Sequence, residues 1–388
     1  MTERGADREA GSLAVDDLGS DSVRAVYRDL LRFGPRSRSE LTSRLGLSAP
    51  TVTRATRELL DAHRLRSLES VVRPKGRPHQ PLDIEENLGP RFIGVKVTAD
   101  EIHAMVTTVR GNALETLVLP LADTSPETVL TSIATPVAAL AEAHPRLTVV
   151  GVSLGGRVAD RRTVLSSTLL DWSEPVELAA ALEARLDLPV VVENDLLAMV
   201  HGLHWFGIGR AYRSFAVLTI GAGVAIGTVL DGRVVEGHTR LAGLTERLPV
   251  GLDRDGALLT VGRAARTDQV LARAREAGIL TAEQGVDDLR RRVADGDRDA
   301  LDLVRGLARA LASTAATITA LVDPEAIVLG GETLDLVRAA DPLFEDVLRT
   351  DLAPAQRDIV VRDLPGDFDE WARGAAVIAI QEFVGPDA

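Results

Sequence analysis

Near the N-terminus, the spacing of apolar residues predicts three short helices. SVRAVYRDLLRFGP (22–35) has apolar residues every three to four positions and ends at Gly-Pro, which stops a helix. SRSELTSRLG (37–46) predicts a second helix capped by Ser37 or Ser39, and LSAPTVTRATRELLDAHRL (47–65) predicts a third with Ser48 as its N-cap. Three helices joined by a tight, glycine-containing turn are typical of a helix-turn-helix.

The third predicted helix has an apolar side and a polar side. Val52, Leu59 and Leu60 fall toward a core, whereas the opposite side carries Arg and Thr, which suit the edges and phosphates of a DNA major groove. LRSLESVVRPKGRPHQPLDI (65–84) predicts two short strands around a basic tip, as in a winged variant. The predicted DNA-contacting residues are Ser48, Pro50, Thr51, Thr53, Arg54, Arg57, Arg73, Lys75 and Arg77.

From Phe92 onward, strand-like and helix-like segments alternate. FIGVKV, IHAMVTTV and ALETLVLP predict three successive strands, SPETVLTSIATPVAALAEAH a helix, and TVVGVSLGG a buried strand entering a glycine turn. A second half repeats this with the strands SFAVLTIGAG and VAIGTVLDGRVVEG, the long helix LDLVRGLARALASTAATITALV and the buried strand AIVLGG. The last helix is DEWARGAAVIAIQEFV. The pattern predicts two similar α/β halves facing a cleft.

Length and composition narrow the class of protein. A chain of 388 residues predicts two or three domains. It has no cysteine, which excludes disulfides and thiolate metal sites, and no apolar run of the roughly 18 residues that a membrane span needs. Residues 1–20 lack the apolar core of a signal peptide and predict a short disordered tail, so we expect a cytoplasmic protein.

The charge is unevenly distributed. Residues 22–80 contain 13 basic and 5 acidic residues, a balance of +8 that leaves −21 for the rest of a chain whose formal net charge is −13. A small basic module joined to a large acidic one indicates that the first part binds a polyanion and the second does not. A basic three-helix module can also be a protein-interaction domain, but helix spacing, charge and wing together favour DNA.

Four stretches follow one another in a characteristic order: GVSLGGRV, LPVVVENDLLAMVHGLHWFGIGRA, FAVLTIGAGVAIGTVLDGRVVEG and LVDPEAIVLGGE. In this order they resemble the ROK family, which joins sugar kinases to sugar-responsive repressors, and the basic module resembles that of the repressor branch. The resemblance implies a two-lobed, actin-like and ribonuclease-H-like ATPase fold behind a winged helix-turn-helix. The implied domains are the tail (1–20), the DNA-binding domain (21–84), lobe 1 (91–205, completed by helix 369–385) and lobe 2 (206–368).

The resemblance also implies where a kinase would hold the phosphates of its nucleotide. Family kinases use a strand that ends in Asp-x-Gly-Gly-Thr, but here Lys96 takes the Asp position, and Thr98, Ala99 and Asp100 take the places of Gly, Gly and Thr. Side chains crowd such a turn, and Asp100 with Glu101 repels an anion, so the first phosphate loop is predicted to be lost.

The second phosphate loop, TIGAGVAIG, keeps Gly221, Gly223 and Gly227, whereas Ala222 stands where the family has a Thr. We expect these glycines to serve a tight hairpin and close packing. The Gly-Gly of AIVLGG matches the family's nucleotide-side turn but is also a common structural device.

Several residues match positions that contact the sugar in the family. Asn194 matches a sugar-binding Asn and Asp195 the catalytic base, although a pair at a strand end that opens a helix also serves as an N-cap. Thr168 stands near where the family often has a further sugar-binding Asn. His238 matches a position near the sugar, but a lone loop His is also typical of a surface.

The loop EGHTRLAGLTERLPVG (236–251) departs from the family motif Gly-Glu-x-Gly-His, in which Glu and His contact sugar and His also binds zinc. Leu244, Thr245, Glu246 and Arg247 fill the positions of Glu, x, Gly and His, and no Cys follows, so we predict no metal. Leu244 cannot replace the hydrogen bonds of a Glu, whereas Arg247, with Arg240, favours a modified or anionic sugar.

These observations predict a DNA-binding transcriptional regulator, a repressor, whose ROK-like domain has lost kinase chemistry and binds a sugar, a sugar derivative or nothing. We expect homodimers or dimers of dimers on double-stranded operators, with no cofactor and no membrane contact. Two alternatives stay open: a sugar kinase fused to a DNA-binding domain, and a ligand-independent regulator that uses the second domain only for dimerisation.

Overall fold

The structure, a computed structural model, describes residues 18–69, 80–240, 242–253, 255–364 and 369–385. Its described residues form a mixed α/β protein with two compact units, one within Met1–Gly207 and Phe368–Ala388 and the other within Ile208–Asp367. This confirms the predicted α/β class and its two halves.

The first unit begins with a helical module followed by a two-stranded antiparallel sheet. Its elements are α1 (Asp21–Phe33), α2 (Arg38–Leu45), α3 (Ala49–Asp61), β1 (Leu65–Ser67) and β2 (Leu82–Ile84). Ser37 and Glu40 form a capping box at the start of α2, and Gly46 ends that helix in a left-handed conformation. Ser48 caps α3, as the sequence predicts. The segment 70–79, which includes the predicted wing tip, lies outside the described residues.

A five-stranded sheet follows in the first unit, in the order β5-β4-β3-β6-β9. Strands β3, β6 and β9 are parallel, and β4 and β5 form an antiparallel meander at one edge. The elements are β3 (Arg91–Val97), β4 (Glu101–Thr108), β5 (Ala113–Pro120), α4 (Pro126–Ala143), β6 (Leu147–Leu154), β7 (Arg157–Ala159), β8 (Thr163–Ser166), α5 (Leu178–Leu186), β9 (Val190–Asn194) and α6 (Asp195–Trp205).

The second unit contains a sheet with the same arrangement, in the order β12-β11-β10-β15-β16, where β10, β15 and β16 are parallel. Its elements are β10 (Phe215–Ile220), β11 (Val224–Leu230), β12 (Arg233–Val234), β13 (Pro249–Leu252), β14 (Leu258–Thr260), α7 (Val261–Ala265), α8 (Thr267–Glu276), α9 (Val286–Ala294), α10 (Arg298–Val322), β15 (Ala326–Gly330), α11 (Leu334–Arg338), α12 (Leu343–Asp351) and β16 (Val360–Asp363). The long helix α10 covers one face of this sheet through an apolar core shared with β10 and β15.

The chain then returns to the first unit as α13 (Asp369–Val384). Helix α13 lies directly on β3 and β6 because Gly94 and Gly151 have no side chain, and a Cβ at either would overlap carbonyl oxygens of the helix. Helices α6 and α13 cover one face of the sheet, and α4 and α5 cover the other. Among the described helices, none is long and apolar enough to cross a membrane.

The helical module and the first sheet share one apolar core. Tyr27 and Leu30 of α1 belong to the same cluster as Phe92 of β3 and Phe383 of α13. Arg110, after β4, donates to the Leu30 carbonyl oxygen and to Asp83. The separate domain 21–84 therefore stays a prediction.

The first 17 residues of the predicted disordered tail lie outside the described residues. Its last three residues do not fit a disordered tail: Leu18 is buried in the core of the helical module, and Ser20 is the N-cap of α1. The described part of the chain therefore begins before the predicted module does.

Candidate functional site

Helix α3 presents a polar face to solvent. Val52, Ala55 and Leu59 pack into the core, whereas Arg54 and Arg57 are exposed. Of the other predicted DNA-contacting residues, Ser48, Pro50 and Thr53 are exposed and Thr51 is half-buried, while Arg73, Lys75 and Arg77 lie outside the described residues.

The arginines of the helical module fall into two groups. Arg36 and Arg44 donate to the buried carboxylate of Asp29 over 3.0 and 2.9 Å, which ties α2 and the segment before it to α1. Arg54 and Arg57 make no hydrogen bond or ion pair with any described residue. The cations of α3 are therefore available to an anion from outside.

A buried ion pair occupies the carboxyl edge of the first sheet. Lys96, at the end of β3, is 3% exposed and donates to Asp195, the first residue of α6. Its ammonium also lies 5.2 Å from the ring centroid of Trp371 in α13, within cation–π distance. The residue that matches the family's catalytic base is therefore neutralised within the chain.

The two residues predicted to contact a sugar, Asn194 and Asp195, have structural partners. Asn194 caps α6 by accepting from the Leu197 amide over 3.2 Å, and its Nδ2 donates to the Gly156 carbonyl oxygen over 2.9 Å. The second carboxylate oxygen of Asp195 accepts from the Leu196 amide. Asn194 thus acts as the N-cap of α6, which is the structural alternative that the sequence offered for this pair.

The segment that contains Thr168 lies beside the same edge. Ser167 Oγ donates to the Gly155 carbonyl oxygen over 2.6 Å and accepts from the Leu170 amide over 3.1 Å, which holds Leu169 over Gly155. Thr168 itself is exposed. The structure therefore groups Asn194 and Asp195 at one edge, with Leu169 beside them.

A row of polar residues runs across this edge in register. His103, Lys96, Ser153 and Glu193 are consecutive partners on β4, β3, β6 and β9. Glu193 is fully buried and lies 3.4 Å from Arg161, and burial lowers the pKa of His103, which favours its neutral form. The sequence did not predict that Lys96 is a charged partner of Asp195. The signal was present, since a lysine inside the apolar strand FIGVKV requires a counter-charge when buried.

The glycine loop of the second unit carries carboxylates. A Cβ at Gly221 would stand 2.7 Å from an oxygen of Glu332, and one at Gly223 would stand 3.4 Å from an oxygen of Glu246. Glu246 also pairs with Arg266 over 3.3 Å. An anion that approached the amides of this loop would meet the carboxylate of Glu332, which disfavours phosphate there, whereas Arg266 compensates the charge of Glu246. The sequence did not predict that Glu332 lies at this loop.

Gly331, in the turn after β15, needs to be a glycine for packing. Its φ of +111° is a conformation that L side chains rarely adopt, and a Cβ there would overlap the backbone of Ile220. At this position the glycine has a structural reason that is independent of nucleotide.

The loop 236–251 of the second unit is built around backbone contacts. Gly243 lies against the Ile226 carbonyl oxygen, and Leu244 forms a bridge with Ala225 and is 63% exposed. His238 and Arg247 are exposed, with no hydrogen bond or ion pair to the part of the chain that the structure describes. They belong to the second unit, whereas Thr168, Asn194 and Asp195 belong to the first.

Arg240, the other candidate for an anionic ligand, pairs with Glu236. Across the described ranges, no cluster of three or more His, Asp or Glu residues could hold a metal ion.

The ROK family profile matches residues 92–382, three quarters of the chain. The chain belongs to the ROK family. The match covers both five-stranded sheets and leaves the helical module outside it.

The relatives of this chain include enzymes and regulators. A Streptomyces coelicolor protein described as "Glucokinase" is 30% identical over 268 residues, which are 63% of this chain and 82% of that protein. The "DNA-binding transcriptional repressor Mlc" of Escherichia coli K12 is 25% identical over 368 residues, 88% of each chain. At 88% of this chain, the Mlc match is long enough to include part of the helical module.

The solved structures that resemble this chain also include a regulator and a sugar kinase. The crystal structure of a ROK family transcriptional regulator, a homologue of E. coli Mlc, superposes with a TM-score of 0.78 at 21% identity, over 94% of this chain and 98% of that one. A ROK family glucokinase from Streptomyces griseus, solved with glucose and AMPPNP, gives 0.63 at 26% identity, over 75% of this chain and 99% of that one. These superpositions confirm the predicted sugar-kinase-like fold.

Proposed function

We propose that this ROK protein is a DNA-binding transcriptional regulator, a repressor, whose ROK domain does not phosphorylate sugars. The observation that carries the proposal is the exposed face of α3, where Arg54 and Arg57 are the unpaired cations of a capped helix in a helix-turn-helix. Such a helix inserts into a major groove, where Arg takes guanine edges or phosphates. The similarity to Mlc over 88% of both chains supports the same function.

The loss of phosphoryl transfer rests on both units. In the first unit, the ammonium of Lys96 forms an ion pair with Asp195, the residue that matches the catalytic base of the family kinases. In the second, Glu332 places negative charge on the glycine loop. Phosphoryl transfer requires that the reacting groups are held in position and that the charge of the phosphates is compensated. These residues meet neither requirement.

The kinase alternative has a specific observation in its favour, which is the 30% identity to a protein described as glucokinase. That match covers 63% of this chain. The residues at the Asp-x-Gly-Gly-Thr position separate the two functions, since Lys96 replaces the carboxylate there.

For regulation, we propose that homodimers or dimers of dimers set the distance between two helical modules on a double-stranded operator, near one helical turn or a small multiple. A sugar or sugar derivative that binds one arrangement better would change that distance. Asn194, Asp195 and Thr168 in the first unit and His238 and Arg247 in the second are the proposed ligand contacts, and exposed Arg247 favours an anionic group. A ligand-independent regulator is the alternative in which these residues contact nothing.

The test is selection of DNA from a random double-stranded library by the purified full-length protein, followed by fluorescence anisotropy at several salt concentrations. We expect selected sites with two related half-sites and an affinity that falls steeply with salt. In parallel, the same protein is incubated with Mg-ATP and a panel of hexoses. No selected sequence, or hexose-dependent consumption of ATP, contradicts the proposal.

Effectors are tested by thermal unfolding with sugars, sugar phosphates and sugar acids. A ligand at about 100 times its dissociation constant adds roughly 2.7 kcal/mol to the free energy of unfolding. Stabilisation by an anionic sugar supports the effector assignment, and no stabilisation by any of the panel supports the ligand-independent alternative.

A further inference from the structure

Two helices of the first unit, α6 and α13, run side by side from the carboxyl edge of the sheet to the helical module. Helix α6 follows β9, whose parallel neighbours β6 and β3 end at the same edge, and α13 lies across β3 and β6. At a rise of about 1.5 Å per residue, the 11 residues of α6 span roughly 16 Å. Each helix therefore has one end at the Lys96–Asp195 ion pair and the other at the DNA-binding helices.

The two helices are in close contact along their length. A Cβ at Gly374 would stand 2.6 Å from the Ala198 carbonyl group, and one at Gly202 would stand 3.1 Å from the Gly374 Cα. Further along, Gln381 Nε2 and His201 Nδ1 lie 3.0 Å apart. Backbones packed at this distance leave no room for one helix to turn or slide without the other.

At the carboxyl edge, one side chain contacts both helices. The Lys96 ammonium donates to Asp195 at the start of α6 and lies over the ring of Trp371 in the first turns of α13. The ion pair therefore fixes the starts of both helices relative to β3.

At the opposite end, both helices contact α1. Arg32 of α1 lies 3.1 Å from His204 Nε2, which accepts because a guanidinium only donates, and its guanidinium carbon is 5.1 Å from the Trp205 ring centroid. Phe383 of α13 meets Tyr27 of α1 edge to face, with centroids 6.4 Å apart. Since α1 shares its core with α3, the position of α1 fixes that of the exposed arginines.

We propose that α6 and α13 form a connector that couples the Lys96–Asp195 ion pair to the orientation of the DNA-binding helices. The inference rests on the proposed DNA-binding function and adds a regulatory role for the neutralised catalytic position. An anionic group that takes Lys96 away from Asp195 releases the starts of both helices, and their rigid packing moves the ends that hold α1. Coupling of this kind is reciprocal, so DNA binding also changes the environment of Lys96.

The first experiment compares DNA affinities of full-length variants by fluorescence anisotropy on the selected operator. Lys96→Met removes the ion pair, and we expect about fivefold weaker binding or more, within the usual range of coupling. The matched control is Glu183→Gln in α5, on the other face of the sheet, which removes the ion pair of the buried Glu183 with Arg162. We expect the control to bind within about twofold of wild type.

A double-mutant cycle tests whether the connector carries the effect. Arg32→Gln breaks the contact with His204, and the effect of Lys96→Met should shrink in that background, since coupling through a shared element is non-additive. If Lys96→Met does not fold, Trp371→Leu serves instead, because it loosens α13 and leaves the ion pair.

The sequence offers a second, independent readout. The chain has two lysines, Lys75 and Lys96, so side-chain ¹⁵N lysine NMR gives two ammonium signals, and Lys75→Arg assigns them. We expect operator DNA to shift the Lys96 signal. A protein that selects no DNA contradicts the proposed function. A protein that binds DNA, with Lys96→Met within twofold or tighter than wild type and an unshifted Lys96 signal, overturns the connector alone.

Discussion

The exposed face of α3 and the carboxyl edge of the first sheet differ in how their charges are compensated. On α3, Arg54 and Arg57 point to solvent with no partner among the described residues. At the sheet edge, Lys96 and Asp195 neutralise each other, and Glu193 lies beside Arg161. A cation without an internal partner loses little by binding an external anion, whereas a buried pair must first be separated. The arginines of α3 can therefore bind an anion directly, whereas at the sheet edge a ligand must first separate Lys96 from Asp195.

The largest effect is expected when the Lys96–Asp195 ion pair at the carboxyl edge of the first sheet is broken. Lys96→Asp restores the acidic residue that family kinases have at this position, but it leaves two carboxylates together at a buried site. We expect the free energy of unfolding to fall by about 3–5 kcal/mol at neutral pH, as when a buried pair loses a partner. Chemical denaturation measures this, and activity with Mg-ATP and hexoses stays absent because Thr98, Ala99 and Glu332 remain.

The pH dependence of the free energy of unfolding of Lys96→Asp is the control for this prediction. Two adjacent carboxylates raise the pKa of one of them in the folded state, so the folded protein binds more protons than the unfolded chain. The loss of stability relative to wild type is complete above the raised pKa and becomes smaller as the pH falls through that pKa. A loss that does not depend on pH would show that charge repulsion is not its cause.

The second-largest effect is expected on the exposed face of α3, whose arginines have no partner among the described residues. Arg54→Ala and Arg57→Ala should each weaken operator binding by about 1–3 kcal/mol, with little change in stability. In the predicted wing, Arg77→Ala should weaken binding and lower the salt slope if that side chain contacts a phosphate. Arg309→Ala, an exposed arginine of α10 in the second unit, is the matched control. Equal affinity for all four variants would refute the assignment of α3 to the DNA interface.

Asp29 sharpens the comparison within the helical module itself. Asp29→Asn removes the charge that Arg36 and Arg44 share, and we expect a loss of about 1.5 kcal/mol in the free energy of unfolding. Asp61→Asn, at the exposed end of α3, should change it by less than about 0.5 kcal/mol. Similar free energies of unfolding for the two variants, measured by urea denaturation, would mean that the ion pairs of Arg36 and Arg44 with Asp29 add no stability.

The smallest effects are expected in the second-unit loop. His238→Ala and Arg247→Ala should alter the free energy of unfolding by less than about 0.5 kcal/mol, because both side chains are exposed. If an anionic sugar stabilises the wild type, Arg247→Ala should reduce that thermal shift and Thr239→Ala, an exposed neighbour, should not. An unchanged shift would remove Arg247 from the ligand contacts.

The sequence by itself determined what depends on neighbouring residues and on motif order. Helical spacing, the serine caps at Ser37 and Ser48 and the repeated strand pattern predicted most elements, because periodicity and capping act over a few residues. The ordered motifs indicated the family, and position-by-position reading showed that Lys96 replaces a kinase residue. Each of these needs no knowledge of which distant segments meet.

The tertiary structure alone decided which charges compensate each other and what the helical module rests on. Lys96 meets Asp195, 99 positions later, because β3, β6 and β9 end at one edge, and Glu332 reaches Gly221 because β15 pairs with β10. Phe383, near the C-terminus, packs against Tyr27, near the N-terminus, because α13 returns to the first unit. Local patterns fix the period of an element, whereas strand order and the path of the chain fix its partners, and charge compensation depends on partners.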